Sequence, residues 1–204
     1  MAHIDFWYAI GSTYSYLTIM RLPDLAAAEG LDIIWRPFDV RHVMTHQNNI
    51  PFKDKPVKAA YMWRDIERRA EGYGLPHAHL PAPYPLKHFA LANRLAVLGM
   101  RQGWGVAYTR AAYRLWFLAG HPPGEEPNNT EALEAAGVDP LKAVAEAESA
   151  KIGKALQVET DLAMDLGVFG APSFVVDGEV FWGDDRLEDA ISWLHNGRVT
   201  LPQA

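Results

Sequence analysis

The chain has 204 residues, 49% of them hydrophobic and 22% charged, a balance that suits one sizeable core with a helical elaboration and excludes a disordered chain. Its formal net charge of -6 argues against a broad landing surface for nucleic acid or acidic lipid, which needs clustered positive charge. With no cysteine there is no structural disulfide, thiolate metal site or protein sulfur nucleophile, so any sulfur chemistry must import its thiol.

The opening residues Met1, Ala2, His3, Ile4 and Asp5 lack the basic patch and apolar stretch of a secretory signal, and no window reaches the roughly 18 apolar residues needed to cross a bilayer. A soluble, cytoplasmic protein without membrane or nucleic-acid partners is therefore expected. Residues 4–10 read as a short buried strand ended by Gly11 and Ser12. A helix follows, carrying Tyr16, Leu17, Met20 and Leu25, with a kink or restart expected near Pro23 and Gly30 as its C-cap residue. The β-prone segment 31–38 completes a β-α-β unit whose two strands should pair in parallel.

Residues 39–57 contain Asn48, Asn49, Pro51 and Pro56 and show no sustained period, which predicts a long irregular segment over the sheet edge or over a site. Amphipathic spacing predicts a helix over 57–71, and leucines at 91, 95 and 98 predict another over 88–100 after a proline-rich break. Further helices are expected at 103–118, 130–136, 141–150 and 152–166, with Asp139 as a cap and Pro140 as a first helical residue. Segments 173–177 and 179–182 flank Gly178 as a hairpin, and Asp184 or Asp185 is expected to cap a last helix. The order β-α-β, many helices, β-β-α implies one mixed sheet built from both chain ends, with residues from about 55 to 150 inserted as a helical lobe.

The run from Tyr8 through Leu17, containing Gly11, Ser12, Thr13 and Ser15, resembles the opening active-site motif of 2-hydroxychromene-2-carboxylate isomerases, relatives of the kappa-class glutathione transferases in the DsbA-like branch of the thioredoxin superfamily. Toward the far end, Gly170, Ala171, Pro172 and Ser173, followed by Trp182, Gly183, Asp184 and Asp185, are similar to that family's cis-proline strand and terminal helix start. Lys58, Tyr61, Asp65, Arg68 and Tyr73 resemble its first inserted helix, so the likeness spans nearly the whole chain. The family often carries Pro where this chain has Thr13 and Asp where it has Ala9. The resemblance implies an α/β protein, a thioredoxin-like fold interrupted by an all-helical insertion domain, with residues 1–54 and 151–204 forming the first and 55–150 the second. It also implies a homodimer.

Ser12 and Ser15 stand where a dithiol oxidoreductase has Cys-x-x-Cys, and hydroxyls cannot exchange disulfides. The resemblance assigns Ser12 to the thiolate of bound glutathione, at a helix start that itself favours negative charge; the alternative is a helix cap. Lowering the thiol pKa by one unit needs only about 1.36 kcal/mol of differential stabilisation. Ser15 reads as a capping or packing hydroxyl. By the same resemblance, a cis bond before Pro172 exposes the backbone of Ala171 to the glutathione peptide, and Asp184 with Asp185 receives its ammonium end. Asn48 matches an asparagine near thiol and substrate, with an exposed loop residue as the alternative. Lys53, Lys58 and Arg64 are candidates for an anionic substrate, or else a wet helix face. Tyr108, Tyr113, Trp116 and Phe117 suit an aromatic slot, a core or a dimer surface. The spacing of His42, His46, His77, His79 and His88 makes no metal motif. The implied activity is glutathione-dependent isomerisation of 2-hydroxychromene-2-carboxylate, a small aromatic carboxylate. Glutathione transfer or peroxide reduction is the nearest alternative, and non-catalytic thiol-peptide binding the next.

Overall fold

The computed structural model describes residues 3–52 and 54–200. Four strands, β1 (Ile4–Tyr8), β2 (Ile33–Pro37), β3 (Ser173–Val176) and β4 (Glu179–Trp182), form one sheet in the order β2-β1-β3-β4. β1 and β2 pair in parallel across helix α1 (Ser15–Glu29), whereas β3 pairs antiparallel with both β1 and β4. The β3–β4 turn places Asp177 and Gly178 at positive φ, 49° and 85°, as the Asp-Gly pair predicts.

Side-chain alternation along β1 explains why both sheet faces are covered. Ile4, Phe6 and Tyr8 enter the main core with α1 and the inserted helices, while Trp7 and Ala9 enter a second cluster with Phe38, Val40, Val43, Ala163 and Val168. Every one of these residues is fully or nearly fully buried.

Helices α3 (Pro56–Gly72), α4 (Phe89–Gln102), α5 (Gly105–Arg114), α6 (Asn128–Ala135), α7 (Pro140–Ala147) and α8 (Ala150–Asp165) lie in the chain between the β1-α1-β2 unit and β3, as the helical insertion requires. A π-helical turn, Leu115–Ala119, extends α5; there Trp116 Nε1 donates to the Pro83 carbonyl at 2.8 Å and His79 N donates to the Phe117 carbonyl at 2.8 Å. Tyr108, Tyr113, Trp116 and Phe117 are wholly buried, which makes them core. Asp139 caps α7 by accepting from Lys142 N, as expected.

Three expectations are corrected. Helix α1 runs unbroken through Pro23, because a single missing amide removes one rung of the ladder and leaves the neighbouring turns bonded. The segment expected to be irregular holds helix α2 (Val40–His46), capped by Asp39 through His42 N at 3.0 Å and anchored by Val40 and Val43. Three apolar positions in seven residues, Val40, Val43 and Met44, are too few to reveal a period. Neither Asp184 nor Asp185 caps the terminal helix α9 (Leu187–Asn196): its N-cap residue is Arg186, and both aspartates belong to a 3-10 turn, Asp184–Arg186. No helix among the described residues is long and apolar enough to cross a membrane.

Three buried polar residues of the inserted helices fix the end of β1. Asn93 on α4 accepts from Ile10 N and donates to the Ile10 carbonyl, each at 2.8 Å. Thr109 on α5 shares a 2.9 Å hydrogen bond with the Tyr8 hydroxyl. The Tyr113 hydroxyl lies 2.9 Å from the carbonyls of both Ala9 and Ser12. Replacing Asn93 by Leu leaves both Ile10 backbone groups buried without partners and should lower stability by about 2–4 kcal/mol, read as a reduced urea midpoint.

Candidate functional site

The β1 strand ends in a loop where Gly11 adopts φ 123°, a conformation closed to most side chains, before the chain enters α1. That turn carries Ser12 to the wall of a cavity of about 700 Å³. The cavity is bounded by the start of α1, by α2 and the loop after it, by α3, by the 84–89 segment and by the strand entry at 169–171. It therefore lies where the thioredoxin-like sheet meets the inserted helices, a usual place for a ligand cleft.

Ser12 Oγ donates to the Ala171 carbonyl at 2.7 Å, joining two segments 159 positions apart. The Ala171–Pro172 bond is cis, as the sequence resemblance implies. Pro172 is buried behind Ala171, and its carbonyl accepts from Gly183 N at 2.9 Å. Ser15 is wholly buried and packs within α1. Thr13, the residue after Ser12, donates to the Met62 sulfur at 2.9 Å and so ties α1 to α3.

The remaining expected site residues are dispersed. Ser12 and Ala171 line the cavity; Pro172, Asn48, Asp184 and Asp185 do not. Asn48 is exposed with φ 51°, and its neighbour Asn49 is the asparagine on the wall. Lys58 lines the cavity, whereas Arg64 is exposed and pairs with Glu67, and Lys53 lies outside the described residues. No group of three His, Asp or Glu side chains among the described residues is arranged to hold a metal ion.

Asp184 is an internal acceptor. It is only 2% exposed, with Thr18 Oγ1 donating to one carboxylate oxygen at 2.8 Å and the Tyr73 hydroxyl to the other at 3.1 Å. Arg21 approaches the first oxygen at 3.3 Å, stacks on Tyr73 at 4.3 Å and also pairs with Glu188. Together these contacts bind α1, the end of α3, the 3-10 turn and α9. Burial pushes the Asp184 carboxyl above its ordinary value, against the opposing pull of Arg21 and the hydroxyl donors. Asp185, beside it, is exposed and meets Arg186 at 3.4 Å and Arg69 at 3.9 Å.

Sequence reasoning missed Arg41, Phe52, Tyr84 and Phe89 on the cavity wall. Arg41 and Phe89 stack at 3.8 Å although 48 positions of sequence separate them, so no local pattern could announce the pair.

The match to the family model described as the DSBA-like thioredoxin domain extends over residues 3–192. The chain belongs to this family. It is 32% identical to a 2-hydroxychromene-2-carboxylate isomerase of Sphingobium xenophagum, over 94% of this chain and 97% of that protein. It is 27% identical to glutathione S-transferase kappa 1 of Caenorhabditis elegans, over 92% of this chain and 88% of that protein. A solved 2-hydroxychromene-2-carboxylate isomerase superposes with a TM-score of 0.83 at 27% identity, covering 95% of this chain and 96% of that one. Within the DSBA-like family, the chain's full-length kinship is thus with isomerases and kappa-class transferases.

Because folded Asp184 holds its proton more tightly than the unfolded chain does, its contribution to stability falls as pH rises from 3.8 through the raised folded value. Asp184→Asn removes that titration. The stability difference, wild type minus variant, should decline across that window, and unfolding midpoints measured at a series of pH values check it.

Proposed function

We propose that the protein is a glutathione-dependent isomerase that converts 2-hydroxychromene-2-carboxylate to trans-o-hydroxybenzylidenepyruvate. The observation that carries this reading is the meeting of the Ser12 hydroxyl and the Ala171 carbonyl on one cavity wall, at the opening of a 15-residue helix. Full-length similarity to a protein named for this isomerase activity supports the choice of reaction.

The donor set suits glutathione. A hydroxyl beside the unpaired amides of a helix start is matched to a thiolate, and the backbone of Ala171 offers a partner to an extended peptide. Of the two aspartates, Asp185 presents the exposed carboxylate for an ammonium group, while Asp184 secures the turn from within. When bound, glutathione supplies a thiol that adds reversibly to the substrate and relaxes its double-bond character.

Ser12 has one hydroxyl proton, committed here to the Ala171 carbonyl. Turning that proton toward a thiolate would release the carbonyl to accept from a ligand N–H, so a single rotation serves two contacts. Tyr113 holds the Ser12 main chain while the side chain turns. The apolar wall around Phe52 and Phe89 limits water near the reacting atoms, and Asn49, which lines the cavity where Asn48 does not, can orient a carbonyl or carboxylate oxygen.

A glutathione transferase is the second reading, favoured by the kappa-class relative. Thiol balance separates the two: isomerisation returns all the glutathione, and transfer leaves a conjugate. With purified protein and 2-hydroxychromene-2-carboxylate, turnover should require glutathione while total thiol stays constant. Ser12→Ala should slow it about 10- to 100-fold, the worth of one charge-assisted hydrogen bond of about 1.5–3 kcal/mol. Equal rates with and without glutathione, and with Ser12→Ala, would overturn the mechanism.

A further inference from the structure

Among the described residues two cations line the cavity, and their settings differ. Lys58 is exposed, with its ammonium 5.6 Å from the Phe52 ring. Arg41, on α2, is half-buried with its guanidinium 3.8 Å from the Phe89 ring centroid, and its Nη2 donates to the Leu86 carbonyl at 2.8 Å. Among the described residues that is its one hydrogen bond, and no carboxylate stands within ion-pair distance of it. A guanidinium carries five N–H donors in a planar fork, so most remain unspent.

Such a group is costly unless something compensates it. Burial depresses Arg41 below the ordinary arginine value, outweighing the opposing pull of Tyr84 and of Asp39, which lies beyond ion-pair distance. Of the protein's other partly buried arginines, Arg21, Arg36 and Arg69 are matched to carboxylates, Arg21 to Asp184 and Glu188, Arg36 to Asp5 and Glu159, Arg69 to Asp65, whereas Arg94 and Arg110, like Arg41, pair with none among the described residues. Arg41 alone of these six lines the cavity beside Ser12, whose wall also carries Phe52, Tyr84 and Phe89. Stacking on Phe89 and the bond to Leu86 fix the plane of the fork before any ligand arrives, which reduces the ordering cost of binding.

We infer that Arg41 is the positioning residue for the carboxylate of an aromatic acid, receiving it on the open edge of the guanidinium while the ring lies among Phe52, Tyr84 and Phe89. The inference rests on the proposed aromatic-acid substrate and adds the residue that reads its charge. It makes the cavity selective for acids over neutral aromatics of the same shape, because an anion pairs directly with a guanidinium that has no ion-pair partner among the described residues. Lys58, already hydrated, contributes little to that choice.

The test uses two unreactive bicyclic probes, coumarin-3-carboxylate and coumarin-3-carboxamide, bound to the full chain in the presence of glutathione and followed by calorimetry. Wild type should prefer the acid. Arg41→Met should weaken the acid about 10- to 100-fold and leave the amide within about twofold, so that the preference disappears. Arg41→Lys should restore part of it, since a point charge replaces the fork. Lys58→Met should keep it, and glutathione affinity should be unchanged in every variant. If Arg41→Met weakens acid and amide alike, or lowers glutathione affinity, or if Lys58→Met erases the preference, the inference is overturned. Should Arg41→Met fail to fold, the Arg41→Lys ratio decides, and a ratio equal to wild type overturns the inference. Lack of turnover on 2-hydroxychromene-2-carboxylate would sink the isomerase reading without altering the acid-to-amide ratio. Conversely, equal wild-type binding of acid and amide would sink this inference without altering turnover.

Discussion

The candidate site depends on a buried polar seam between the end of β1 and the inserted helices. Asn93 pairs with both backbone groups of Ile10, as a neighbouring strand would, just beyond the point where β1 leaves the sheet. Tyr113 reaches the Ala9 and Ser12 carbonyls from the next helix. Backbone groups at the end of a buried strand have no water to turn to, so these side chains meet an obligation and fix a position together. Without them the loop carrying Ser12 would lack a defined relation to the rest of the cavity.

That seam makes the Ser12–Ala171 contact reproducible. The two residues come from opposite ends of the chain, and the sheet brings them together because β3 pairs beside β1. The hydroxyl is anchored by its main chain and free at its rotor, which allows a hydrogen bond to be exchanged without backbone movement. Preorganisation of this kind reduces the rearrangement needed at the moment of reaction.

Electrostatics divides the arginines by task. Arg21 is enclosed with Asp184, Glu188 and Tyr73, where its charge is answered and its role is to hold elements together. Arg41 occupies a similar half-buried setting with an aromatic ring and a carbonyl for company. One fold thus carries a satisfied cation that binds α1 to the 3-10 turn and an unsatisfied one facing a cavity. Their availability for a ligand differs accordingly.

Much of this was legible from residue order alone. A short apolar and aromatic run ended by Gly11 and Ser12 marked β1, the Asp-Gly pair set the hairpin, helical spacing marked α3 and α4, and the absence of cysteine excluded a protein dithiol. These are local properties, and local sterics and hydrogen bonding decide them. The short α2 escaped notice because its stability comes from a cap and two buried valines. Asp184 could not be told from Asp185 by sequence, since both follow Gly183 and only packing puts Thr18, Tyr73 and Arg21 around the first. The cavity wall, the bond from Ser12 to Ala171 and the stacking of Arg41 on Phe89 belong to the tertiary structure: they join residues far apart in the chain, and distance in sequence carries no record of which buried groups will need one another.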